Sequence, residues 1–114
     1  MEKIQSLAYE LHDLLLNSKE FIYLKECEVK MISDVQCKTL IDNYHNLQGR
    51  YNFEKTEEVL TMLSKAKLLM DQHPLVIEYK KAFKEYQILV GNITDIVFEG
   101  FKKDTLVDKI IRAK

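Results

Sequence analysis

Val76, Tyr79, Phe83, Tyr86, Val90, Ile93 and Val97 follow Pro74 in strict alternating steps of three and four, and no other feature constrains this chain as much. Apolar residues at that period share one face of a helix, whereas a strand would scatter them over both of its faces. Leu75, Ala82 and Leu89 widen the stripe. Pro74 suits the first turn, where its missing N–H costs nothing, and His73 is placed to cap that turn. Carried to Phe98, the helix would be roughly 37 Å long at 1.5 Å per residue, comparable with the full width of a compact domain of this size. Such a helix overhangs a monomeric bundle. Its apolar overhang needs cover, and a second subunit is the simplest source of it. The seven stripe residues are therefore the candidate dimer or partner interface.

The remaining sequence reads as further helix. Ile4, Leu7, Ala8, Leu11, Leu14 and Leu15 recur at steps that place them together. Ser18 can then cap a segment that continues the stripe through Phe21, Leu24, Cys27 and Met31. Whether the chain breaks or only bends at Ser18 stays open at this level. Ser33-Asp34-Val35-Gln36 has the spacing of a capping box, which predicts a helix starting at Ser33. Its stripe is Cys37, Leu40, Ile41, Tyr44, Leu47 and Tyr51, and the polar, glycine-containing stretch 48–52 is its expected end. Thr56 or a near neighbour should cap a helix bearing Val59, Leu60, Leu63, Ala66, Leu69 and Met70, which stops before Pro74. Gly91 lies inside the long helix as a tolerated defect or a close crossing point. Gly100 is the expected end of that helix, and Asp104 could cap a short last one carrying Leu106, Val107, Ile110 and Ile111. The reading is all-α: a bundle of about five helices, residues 1–114 forming a single domain, dimeric through its long helix.

Composition agrees and excludes several classes. Proline occurs once, glycine three times and tryptophan never, so few positions demand the backbone freedom of turns and an all-β fold is disfavoured. The formal charge of −1 balances 17 basic against 18 acidic residues, which gives no global field to recruit nucleic acid or anionic membrane. Apolar runs such as Leu14-Leu15-Leu16 are far too short to span a bilayer, and no secretory leader follows Met1. Two cysteines, Cys27 and Cys37, form neither a disulfide framework nor a metal spacing, which suits a reducing cytoplasm.

No catalytic constellation assembles. His12, His45 and His73 belong to no paired ligand motif. A site built from Cys27, Cys37 and His45 would lack the short spacings that metal sites favour. No catalytic residue, cofactor or metal is expected, and the cysteines read as small core residues. The aromatic residues sit on helical stripes rather than among alternating cations, so packing outweighs nucleic-acid stacking. RNA binding is the alternative reading. It rests on Lys80, Lys81 and Lys84 and on five basic against two acidic residues in 101–114.

His73-Pro74-Leu75-Val76, followed by Tyr79, Ala82, Phe83, Tyr86, Ile93 and Ile96, resembles the signature of the YlbF/YmcA family of small helical regulatory proteins from Gram-positive bacteria. Leu7-Ala8, Leu11, Leu15, Ser18-Lys19-Glu20 and Tyr23 resemble its opening, and Leu40-Ile41, Tyr44, Leu47 and Gln48 its third segment. The resemblance implies an all-helical dimer with a non-enzymatic regulatory role. It also implies assembly with itself or a paralogue and with ribonuclease Y, affecting competence, sporulation and biofilm formation through messenger RNA processing. Some family members bind an iron–sulfur cluster through cysteines near the C-terminus. This chain has no cysteine after Cys37, so that cofactor is not carried over.

Overall fold

A computed structural model describes the backbone of residues 2–104 and the side chains of residues 2–99. It contains α1 (Glu2–Leu16), α2 (Lys19–Ser33), α3 (Val35–Phe53), α4 (Glu57–Asp71) and α5 (Pro74–Asp104), with no strand among the described residues.

Short polar residues decide where each helix begins. The chain breaks at Ser18 rather than bending. Its backbone is extended, its hydroxyl accepts from the Phe21 N–H at 3.2 Å, and the same hydroxyl donates to the Leu15 carbonyl at 2.7 Å. Both helix ends are thereby satisfied by one side chain. The expected start of α3 at Ser33 is corrected by one residue. Ser33 ends α2, and Asp34 closes that helix while its carboxylate accepts from the Cys37 N–H at 2.8 Å to open α3. Asp and Ser cap about equally well, so neighbouring candidates are decided by where the preceding helix stops. Thr56 caps α4 through the Val59 N–H, as the sequence indicates. His73 accepts from the Leu75 N–H at 3.1 Å through Nδ1, which caps α5 beside Pro74.

Two helix ends lie beyond their expected positions. α3 passes through Gly49 and stops at Phe53, because Gly49 keeps a helical φ instead of turning the chain. α5 likewise passes through Gly100 and reaches Asp104, making it 31 residues and about 46 Å long. A glycine weakens a helix without ending it unless it adopts positive φ. Asp104 is thus the last residue of α5, and the terminal helix expected around Leu106 and Ile110 lies outside the described residues.

The helices pair as two antiparallel couples. α2 packs on the first half of α5, with Leu24, Cys27 and Ala82 buried together and Tyr79 and Tyr86 against them. A second cluster of Met31, Cys37 and Val76 joins the start of α3 to this pair. α3 and α4 form a hairpin closed by 54–56, with Val59 and Ala66 buried on α4. The two couples meet at one end, where His73 Nε2 lies 3.8 Å from the Asp34 carboxylate and Lys80 reaches Asp71 at 2.6 Å. α1 packs only lightly on α2 and buries no residue.

Because the couples share an end rather than a full face, the molecule is extended, 51 × 36 × 23 Å with a radius of gyration of 19.7 Å. A compact chain of this length would have a radius near 13 Å. Its accessible surface of 9223 Å² compares with about 6,500 Å² for a compact monomer of this mass. About 2,700 Å² that folding ordinarily hides is left on the surface.

Candidate functional site

The seven-residue stripe on α5 divides in two. Val76 is buried on Met31 and Cys37, Tyr79 packs on both core clusters, and Tyr86 meets Phe21 edge to face at 5.4 Å between ring centroids. These three belong to the core of the chain. Phe83 stacks on Tyr79 yet stays 44% exposed, Ile93 is half-buried, and Val90 and Val97 are exposed. The division follows from length. α2 has 15 residues against 31 in α5, so it covers about 22 Å of a 46 Å helix.

Phe21, Leu24, Phe83, Tyr86, Val90 and Gly91 line an open groove of ≈ 510 Å³ where α2 runs out along α5. A Cβ added at Gly91 would meet nothing within 4 Å. No described helix of the same chain crosses there, so among the described residues the close-crossing reading of Gly91 finds no partner helix. A second open groove of ≈ 520 Å³ lies along α2 between Leu16, Phe21, Ile22 and Val29. A third of ≈ 340 Å³, containing Met31, Ile41, Met70, Val76 and Tyr79, lies where the two couples join. All three are lined mainly by apolar side chains, as protein-recognition surfaces are at their centres.

The apolar side of α1 extends this surface, and the sequence does not distinguish it from a core face. Ile4, Leu7 and Leu14 are 69%, 54% and 69% exposed, while Leu11 and Leu15 are half-buried. Periodicity shows that a face will be covered and is silent about whether the cover comes from the same chain.

Polar groups near the surface act as ties between helices. Tyr23 of α2 donates its hydroxyl to Glu78 of α5 at 2.8 Å, and this bond, with lesser help from burial, raises the phenol above its ordinary pKa. Asp71 accepts from Lys80 and Lys67, which hold its carboxyl below the usual range. Burial, aided by the Asp34 charge, pushes the Cys37 thiol up, which keeps it in its unreactive form. Cys27 and Cys37 lie in different core clusters. Among the described residues no group of three histidine, cysteine or acidic side chains could hold a metal. Among the described residues the donors an iron–sulfur cluster needs are not brought together. Lys80, one cation of the RNA reading, is committed to Asp71; residues 105–114 of the basic tail lie outside the described residues. No described helix is long and apolar enough to cross a membrane.

Comparison with known proteins places this architecture. Residues 4–102 match the profile of the family described as control of competence regulator ComK, YlbF/YmcA. The chain is 25% identical over 103 residues to the UPF0342 protein YheA of Bacillus subtilis, covering 85% of this chain and 88% of that one. It is 26% identical over 109 residues to the UPF0342 protein BpOF4_11360 of Alkalihalophilus pseudofirmus, covering 90% and 92%. No solved structure matches it significantly. The all-helical architecture, the His73-Pro74 start of a long helix and a match over nearly the whole chain lead to one conclusion: this protein belongs to the YlbF/YmcA family, which is linked to competence regulation.

Proposed function

We propose that this chain is a non-enzymatic cytoplasmic adaptor that acts through protein–protein contacts. Its first partner is a second copy of itself or a paralogue, and the assembly engages ribonuclease Y to influence messenger RNA processing, competence or biofilm formation. The observation that carries the reading is the uncovered surface: the chain exposes about 2,700 Å² more in total than a compact monomer, and exposed apolar side chains include Ile4, Leu7 and Leu14 on α1, Ile22 and Val29 on α2, and Val90, Ile96 and Val97 on α5. Monomers seldom expose large apolar patches, and obligate dimers bury a total of about 2,000–5,000 Å². The family's link to competence regulation supports a regulatory role, while the expectation about ribonuclease Y comes from the sequence resemblance alone.

The test mixes purified chain with the soluble part of ribonuclease Y, alone and with each paralogue, and measures binding by interferometry. Saturable binding at micromolar concentration or tighter, weakened by Phe83→Asp, is expected. No binding by any mixture, together with a monomeric chain, would overturn the proposal. A gel shift on generic single-stranded RNA that weakens steeply with salt would instead favour the RNA reading.

A further inference from the structure

We propose that two copies of this chain exchange their first helices, α1 of each lying against the second half of α5 of the other. The inference rests on the dimer reading above and specifies which faces meet. Among the described residues two apolar stripes of one chain are left without cover, and they match in length. α1 has 15 residues, about 22 Å. α5 extends past the 15 residues of α2 by about 24 Å. Their exposed residues match in kind, with Ile4, Leu7 and Leu14 on one and Val90, Ile96 and Val97 on the other.

In this structure the two stripes of one chain are not packed on each other. Ser18 bonds both to the turn behind it and to the turn ahead, so the α1–α2 break is tied at both ends. In that arrangement α1 buries none of its residues. Packing α5 against α5 of a second copy would cover one stripe and leave both α1 faces in water. Exchange covers both stripes at once. It does so twice about a two-fold axis, so assembly closes at two copies and does not continue into a filament. The chain's total surface exceeds that of a compact monomer by about 2,700 Å², so it has surface to spare for the total of about 2,000 Å² or more that obligate dimers bury.

The test uses full-length chains and sedimentation equilibrium. Leu7 and Val97 are 54% and 57% exposed, so Leu7→Asp and Val97→Asp should keep wild-type helicity by circular dichroism. If Leu7→Asp loses helicity, Leu7→Ser replaces it. Each variant alone should raise the dimer dissociation constant at least tenfold, because both of its interfaces carry the charge. An equimolar mixture of the two should form a mixed dimer tighter than either homodimer, since one of its two interfaces pairs a native α1 with a native α5. A Leu7→Asp chain that dimerises as tightly as wild type overturns the exchange and leaves the dimer reading intact. Weakened variants whose mixture shows no gain overturn it as well, pointing to α1 closing on its own α5. A wild-type chain that stays monomeric at tens of micromolar removes both.

Discussion

The two halves of α5 carry one uninterrupted apolar stripe and meet opposite fates. Val76, Tyr79, Ala82 and Tyr86 pack on α2, whereas Val90, Ile96 and Val97 stand in solvent. The chemistry of the residues is the same on both sides of Gln87. Only the length of the neighbouring helix changes, and with it whether α2 supplies the burial. Under the proposed dimer, the stability of the subunit and its assembly are written along one helix, in sequence order.

Substitutions in the two halves should separate these roles. Ala82 is 1% exposed between Leu24 and Cys27, and Ala82→Asp places an unpaired carboxylate there. A loss of about 3–5 kcal/mol is expected, enough to unfold the chain, read by urea denaturation. Next comes Leu24→Ala, which removes buried volume from the same cluster and should cost about 2–4 kcal/mol by the same measurement. Gly91→Ala in the second half should have the opposite sign. A Cβ there meets open space within the chain, so about 0.5–1 kcal/mol of added stability is expected. If thermal melting shows a loss instead, a partner helix presses on Gly91 and the second half is covered more closely than proposed.

The smallest expected effect is electrostatic. Lys80, then Lys67, hold the Asp71 carboxyl below its ordinary range. A carboxylate with a lower pKa in the folded than in the unfolded state stabilises the fold above the unfolded value, near 4, and loses that contribution as pH falls through the folded value. Both lysines are more than half exposed, so Asp71→Asn should cost a few tenths to about 1 kcal/mol at pH 7. The gap between variant and wild type should narrow as the pH is lowered below about 4.

Much of the subunit was legible from sequence because its signals are local. The caps at Ser18, Thr56 and His73 and the proline opening α5 are each set by one side chain and the turn beside it. Misplaced ends have local causes too. Ser33 and Asp34 are adjacent residues of similar capping strength, and only the length of α2 selects Asp34. The glycine-containing stretch 48–52 and Gly100 are the expected ends because glycine often ends helices, and here neither Gly49 nor Gly100 turns the chain, so α3 runs one residue past that stretch and α5 four past Gly100. The division of α5 was not legible. It depends on how far α2 runs alongside and on α1 buying no cover from either couple, which are properties of the assembled fold and leave no mark on periodicity.

The central claim is that the uncovered surface of α1 and of the second half of α5 belongs to a subunit contact. Sedimentation equilibrium of the wild-type chain from low to tens of micromolar tests it most directly. The account predicts a mass of twice the 13.5 kDa chain, falling toward one chain on dilution. A folded chain that sediments at 13.5 kDa across the whole range would contradict it.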